Sequence, residues 1–466
     1  MPYADLREFL QQMEKEGQLT RIKRQVDLKH ELGAVCRRAL DVHGLADNKI
    51  LMFCDPGGYP IPVVVNLLAT RRRYALALDT EVEKIHEKFI NAADSPIPPR
   101  LVKDGPCKEN VLTGDEVDLY KLPIPIWNEL DPAPFITAPS HISKDPETGA
   151  RNVGMYRGML HDRNNIGIMA GPYRHLIISC RKAHAKNQPF PVAVCLGTDP
   201  YVYIATHAPL PLGEDELTLA GALKGEPIEL VKCETIDAEV PANCEIVLEG
   251  EIHPGELRDE GPFGEFTGYY GGTQAPRPVI RIKAITHRND PLYLAAYQGR
   301  PPKESSITSI IPDEVEVMRG VHLPGLKCIH MTEGGINFVA IASIRKLYEG
   351  FSKVMALAIL STEPGRMIKT LILVDEDIDP FKRNLVDWAL ATRFLPARDT
   401  ILLEGLPGVP LDPSMPKEEK LKNTNLTSKL ILDATQPLTP DFPIECKPSD
   451  EVMEQVINKW PEYGID

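Results

Sequence analysis

No C-x-x-C pair, no long apolar run and no basic excess occur in this 466-residue chain, and each absence removes a class of protein. The nine cysteines (Cys36, Cys54, Cys107, Cys180, Cys195, Cys233, Cys244, Cys328 and Cys446) are odd in number and scattered, which argues against a disulfide framework and a cysteine zinc site. No stretch approaches the ~18 apolar residues of a membrane span, so no membrane contact is expected. The opening residues are charged and amphipathic and do not read as a signal peptide, so a reducing, cytoplasmic location is expected. Acidic residues outnumber basic ones by 66 to 52, a net charge of −14. That balance argues against a nucleic-acid partner, and the one tight basic run, Arg71-Arg72-Arg73, fits a solvated or ion-paired surface turn better than an anion site. G-x-x-x-x-G-K followed by Ser or Thr, H-E-x-x-H, G-x-S-x-G and G-x-G-x-x-G are all missing, which weakens P-loop, zincin, hydrolase and Rossmann readings.

What is present, 43% hydrophobic and 25% charged residues, describes an ordinary globular chain with a core large enough to need no staples. Leu6, Phe9, Leu10 and Met13 form one apolar helical stripe stopped by Gly17, and a second helix is expected near Leu32–Leu40. Short strands are expected at Ile50–Phe53 and Pro62–Asn66, giving an α/β domain over residues 1–115. Residues 116–320 begin with proline-dense chain over Leu122–Pro139. Strand-like runs follow at Val153–Leu160, Asn165–Met169, Pro191–Leu196, Glu245–Ile252 and Val279–Thr286, a pattern that suggests a barrel-like β core. Residues 321–440 turn α/β again: Lys369–Asp375 reads as a buried strand, and Asp379-Pro380 as a helix cap and first turn placing Leu385, Trp388 and Ala389 on the core side. A tail helix within 441–466 should start at Ser449, with Val452, Val456 and Trp460 on one face.

The densest chemistry lies in residues 258–272. Glu260 and Glu265 flank a Gly261, Pro262, Gly264 turn among Phe263, Phe266, Tyr269 and Tyr270. A carboxylate against aromatic walls has its pKa raised, so one acid can hold a proton while the other stays ionised beside a cation. A surface hairpin with solvated acids explains the same residues. Arg157, in a mostly apolar run, could grip a substrate carboxylate with its planar fork or could be a structural ion pair. Asn152, His175 and Glu216 make an O/N set suited to Mn²⁺ or Mg²⁺, though spacing alone does not join them.

Together these segments resemble the UbiD family of prenylated-FMN decarboxylases. Glu260-Gly-Pro-Phe-Gly-Glu265 is the most specific element. Asn152 stands five residues before Arg157, His175 eighteen after it, and Glu216 precedes Ala220-Gly221. The opening Asp5–Leu10, the run Val374–Pro380, Trp388-Ala389, Thr392-Arg393 and Leu411-Asp412-Pro413 extend the likeness over nearly the whole chain.

The resemblance implies an α+β and α/β multidomain fold: a central split β-barrel of the flavin-reductase type, flanked by an N-terminal α/β domain and a C-terminal α/β oligomerisation domain, in a homodimer or homohexamer. It implies Arg157, Glu260 and Glu265 as the catalytic trio, and Asn152, His175 and Glu216 as ligands of the Mn²⁺ or Mg²⁺ that ties the flavin phosphate to the protein. K⁺ is expected near Ala205, Thr206 and Ala208, and the phosphate at Lys369. Gly154, Met155 and Arg174 belong to the implied flavin neighbourhood; Arg174 departs from the uncharged amide that relatives can carry. The reaction implied is reversible, non-oxidative decarboxylation of a small aromatic acid to release CO₂. Leu122–Asp131 favours a hydroxybenzoate such as protocatechuate. The flavin would come from a partner prenyltransferase. Alternatives are an aryl-CoA, heteroaromatic or cinnamate-type substrate, a non-catalytic subunit of a carboxylase complex, or a plain FMN reductase.

Overall fold

The computed structural model describes residues 2–44, 46–421, 424–439 and 441–465. The N-terminal part runs α1 (Leu6–Lys15), β1 (Leu19–Ile22), α2 (Glu31–His43), β2 (Ile50–Phe53), β3 (Val63–Val65), α3 (Arg71–Ala77) and α4 (Ile85–Asp94). Asp5 caps α1 by accepting the Glu8 N–H, and the stripe Leu6, Phe9, Leu10, Met13 is buried as its spacing requires.

The middle of the chain contains β4 (Arg100–Leu101), β5 (Asn110–Thr113), β6 (Phe135–Ile136), β7 (Pro139–Lys144), β8 (Arg151–Gly154), β9 (Arg157–Asp162) and β10 (Asn165–Met169). It continues through α5 (His175–Ala185), β11 (Phe190–Leu196), α6 (Pro200–Ala205), α7 (Glu216–Lys224), β12 (Glu229–Lys232), β13 (Glu239–Pro241), β14 (Ile246–Glu260), β15 (Ala275–His287) and β16 (Tyr293–Leu294). Eight of these strands lie in the order β6-β9-β10-β15-β14-β11-β7-β8, with β5 on β15. Every pair in this sheet is antiparallel, although only β7–β8, β9–β10 and β14–β15 join strands consecutive in the chain. In place of the barrel-like core expected from the sequence there is a nine-stranded sheet whose terminal strands β6 and β8 do not pair with each other, so no closed barrel forms among the described residues. β16 leaves it to join the N-terminal sheet beside β3.

The last part holds α8 (Glu304–Gly320), β17 (Leu326–Met331), β18 (Val339–Ile344), α9 (Phe351–Ser361), β19 (Thr370–Asp375), α10 (Arg383–Thr392), β20 (Thr400–Pro407) and β21 (Leu426–Ala434). Its sheet order is β17-β18-β19-β21-β20, with β19 the buried centre expected at 369–375. Among the described residues, no helix is long and apolar enough to cross a membrane.

Three sequence expectations change. The run Val153–Leu160 is two strands, broken at Met155-Tyr156. Asp379-Pro380 does not open the helix: α10 starts at Arg383, and Asp379 instead closes a turn by accepting the Phe381 N–H at 3.0 Å. Trp388 does not enter the core; it is 38% exposed and lies under the Arg393 guanidinium at 5.0 Å, while Val386 and Ala389 are buried. The tail helix Asp450–Asn458 does begin at its Ser449 cap, but none of its residues is buried. The basic run is structural: Arg71 pairs with buried Glu314 of α8 at 2.6 Å, and Arg73, fully buried, donates to the Leu67 and Asn66 carbonyls.

Gly33 of α2 marks where the N-terminal part supports the proline-dense segment, since a Cβ there would meet the Trp127 carbonyl oxygen at 2.5 Å. Backbone cannot yield cheaply, so Gly33→Ala should cost about 1–3 kcal/mol. Thermal unfolding checks this; an unchanged midpoint would show that α2 does not fix this segment.

Candidate active site

Arg157 opens β9, Glu260 closes β14, and Glu265 lies in the turn beyond it. The structure brings all three into contact. Arg157 Nε and Nη2 donate to the two Glu260 oxygens at 2.7 and 2.8 Å, and Nη1 donates to Glu265 Oε1. The guanidinium lies 4.9 Å from the centroid of the Phe263 ring, itself 4.4 Å from that of Phe135. Glu260 is 1% exposed and Glu265 8%, so the solvated-hairpin reading is set aside. Burial pushes the Glu265 carboxyl above the ordinary range; Arg157 opposes the shift and Glu260 reinforces it.

The turn is built to carry this load. Gly261 takes φ +88° with its open side against Arg157, a conformation that other residues adopt only under strain. At Gly271 a Cβ would meet Glu265 Cγ at 2.3 Å, so no side chain fits there. Buried Asp131 accepts the Gly264 N–H at 3.2 Å, and Tyr270 Oη accepts the Leu130 N–H at 2.8 Å. The proline-dense segment therefore straps the turn from outside.

Asn152 lies on β8, His175 is the first residue of α5, and Glu216 is the first residue of α7; both helices pack on β8. Glu216 Oε2 accepts the Val153 N–H at 2.6 Å, and burial pushes its carboxyl up to about 8. Asn152 Nδ2 is buried without a partner. His175 is held below its usual value by burial and by Arg174, which keeps the ring neutral. Among the described residues, no three His, Cys, Asp or Glu stand as a metal cluster; the set here includes an amide. Beside these groups sits buried Tyr156, whose hydroxyl burial pushes up to about 12, with Arg174 opposing the shift and Glu216 adding to it. A Cβ on Gly154 would lie 2.8 Å from its hydroxyl, so glycine is needed there.

The other expected residues are more dispersed. Met155 is half-buried in the strand break and Arg174 is exposed at the start of α5. Thr206 caps α6, with its hydroxyl on the Val202 carbonyl and Ser140 Oγ, and α6 packs on α7 next to Ala208. Lys369 pairs with Asp412 at 2.7 Å and lines a cavity of about 460 Å³ with Thr267, Arg300, Phe338 and Ser414. Tyr156, Asp131 and the fully buried Lys303 were not singled out by sequence. A tyrosine in the strand break beside Asn152 and the polar residues inside proline-dense chain were the available signals; nothing local marked Lys303.

Known proteins share this fold. The chain matches the family models of 3-octaprenyl-4-hydroxybenzoate carboxy-lyase: the N-terminal domain over residues 10–93, the Rift-related domain over 100–301 and the C-terminal domain over 304–434. It is 37% identical to the UbiD-class enzyme HmfF from Pelotomaculum thermopropionicum in complex with FMN, over 97% of this chain and 98% of that one, with a TM-score of 0.88. An evolved dimeric form of HmfF, in complex with prFMN, is 35% identical over 97% and 98% of the two chains, with a TM-score of 0.85. The vanillic acid decarboxylase of Sedimentibacter hydroxybenzoicus in open form is 33% identical over 99% and 100%, with a TM-score of 0.87. The 3,4-dihydroxybenzoic acid decarboxylase AroY of Klebsiella pneumoniae is 29% identical over 98% and 99%, also with a TM-score of 0.87. All three family domains occur in order across a chain whose buried acids close on one arginine, and the chain belongs to the UbiD family of carboxy-lyases.

Proposed function

We propose that this chain catalyses reversible, non-oxidative decarboxylation of an aromatic carboxylic acid, a phenolic benzoate of the protocatechuate type, with prenylated FMN held in the central domain. The observation that carries the reading is the buried Glu260–Arg157–Glu265 contact. A plain FMN reductase has no use for a guanidinium locked between two desolvated acids, and such a pair is costly to bury without a task. Support for the substrate class comes from relatives described as acting on vanillic and 3,4-dihydroxybenzoic acids. Support for the flavin comes from the FMN and prFMN complexes of HmfF. The division into 1–115, 116–320, 321–440 and a 441–466 tail is part of the proposal, with the central sheet as a split barrel and the C-terminal part joining subunits.

Asn152, His175 and Glu216 fit a divalent cation, Mn²⁺ or Mg²⁺. The buried carboxyl and the neutral imidazole would each gain a positive partner from one ion, Asn152 would offer it Oδ1, and the unpartnered Asn152 Nδ2 would remain to donate to an anion such as a phosphate. The start of α5 adds its partial positive charge toward a phosphate, with Gly154, Met155 and Arg174 alongside and K⁺ near Ala205, Thr206 and Ala208. When bound, prenylated flavin supplies the electron sink that an aryl centre losing CO₂ requires.

The chain's own residues do the rest. Glu260 keeps Nε and Nη2 of Arg157 occupied and fixes the plane of the fork, so only Nη1, now on Glu265, is available to a substrate carboxylate. An arriving carboxylate takes that place and releases Glu265. The freed carboxylate, with its raised proton affinity, takes up a proton from solvent and hands it to the ring carbon that has lost CO₂, returning to its ionised form. Phe135 and Phe263 keep water away from that transfer.

Glu265→Gln should retain flavin and lose CO₂ release from hydroxybenzoates by about 10²–10⁴-fold. Headspace CO₂ from a panel of phenolic, heteroaromatic and cinnamate-type acids measures it; near-normal turnover in the variant would remove Glu265 from the reaction. Glu216→Gln should fold normally yet release its flavin on gel filtration, as the wild type should after EDTA dialysis. Full flavin retention in both tests would mean that no metal bridges this site.

A further inference from the structure

Lys303, which precedes the first residue of α8, is 0% exposed, and its ammonium is an uncommon thing to leave inside a protein. It sits in no carboxylate ion pair among the described residues. Nζ donates to the Phe266 carbonyl at 3.3 Å and to Ser305 Oγ at 2.5 Å. Phe266 follows Glu265 directly, so the ammonium is anchored on the backbone of the turn that carries the proton donor. The same turn touches this segment again at Gly268, where a Cβ would lie 2.8 Å from the Arg300 Cα. The charged groups facing Glu265 are Arg157 from β9, Glu260 from β14 and Lys303 from the start of α8. Neighbouring Glu304 turns the other way, accepting the Leu68 N–H at 2.9 Å.

A lysine with a purely structural task is poorly explained here. Burial lowers its own proton affinity, to about 7, and Glu265 only partly opposes this. A methionine of similar length would fill the space without that cost. What methionine lacks is a positive charge near Glu265. Arg157 is the other cation beside Glu265, and its available nitrogen passes to the substrate carboxylate once substrate is bound. Lys303 then becomes the cation that remains for Glu265.

We propose that Lys303 is a positioning residue for Glu265: it holds the 263–270 turn through the Phe266 carbonyl and supplies the positive charge against which Glu265 exchanges its proton after the substrate has engaged Arg157. The proposal rests on the reading of Glu265 as proton carrier, and it makes the segment 300–305 part of the reaction's machinery.

The test uses flavin-loaded enzyme and two variants. Lys303→Met removes both the anchor and the charge; Lys303→Gln keeps a donor for Phe266 and removes only the charge. Both should fold, with an unfolding midpoint equal to or above the wild type, and both should keep their flavin. The pH limb of kcat, which reports the substrate complex, and which Glu265→Asp identifies as belonging to Glu265, should move to higher pH by at least about half a unit in each, because a carboxyl stripped of a nearby cation binds its proton more tightly. kcat should fall at least about tenfold in Lys303→Met, with KM within about threefold of the wild type. An unmoved limb in folded, loaded Lys303→Gln would overturn the charge role, and wild-type kcat in Lys303→Met would overturn the anchor. Should Lys303→Met not fold, the limb position in Lys303→Gln still decides the charge role. If instead Glu265→Gln turns over normally, the proton-carrier reading fails first, and that outcome is distinct from either failure at Lys303.

Discussion

A guanidinium buried between two carboxylates is the constraint around which this molecule is arranged. Such a group gains little stability, because the desolvation of three charges offsets most of their attraction. It persists only if the surrounding chain leaves it no alternative. Here β9 fixes Arg157 from below, the end of β14 fixes Glu260, and the Gly261–Gly271 turn brings Glu265 to the remaining guanidinium nitrogen. Asp131 from the proline-dense segment and Lys303 from the start of α8 hold that turn from two sides. The N-terminal part in turn supports the strap, through Gly33 against Trp127, and clamps α8, through Arg71 on Glu314.

The two-residue break between β8 and β9 serves the same arrangement. An unbroken strand would keep Asn152 and Arg157 in one straight run of alternating side chains. The break at Met155-Tyr156 lets β8 face the starts of α5 and α7 while β9 faces the glutamate turn. The proposed phosphate anchor and the proposed acid chemistry thereby draw on different strands without sharing a residue, with buried Tyr156 in the break between them.

Much of this was legible in the residues. The stripe of α1, the buried strand at β19 and the Ser449 cap follow from periodicity and capping, which are local properties. The Glu260–Glu265 turn was recognisable because glycines, a proline and aromatics crowd into one short segment. Other features are set by partners distant in sequence. Val153–Leu160 reads as continuous because hydrophobicity does not register a break whose cause is tertiary. Trp388 looked like core because its helical face was right, but the Arg393 guanidinium rather than a neighbouring layer covers it. Nothing near Lys303 shows that α8 will carry it under the glutamate turn. Lys369 is expected at the flavin phosphate by resemblance alone; its pairing with Asp412 is set by a loop more than forty residues on, which no local pattern shows.

The most direct test of the account is the identity of the flavin this chain retains. The protein is produced with a flavin prenyltransferase, in the presence of manganese and potassium, purified without air, and its bound flavin is weighed by mass spectrometry. The account predicts the mass of prenylated FMN. Plain FMN, or no flavin at all, would contradict it and would return the buried Glu260–Arg157–Glu265 contact to the status of a structural ion pair.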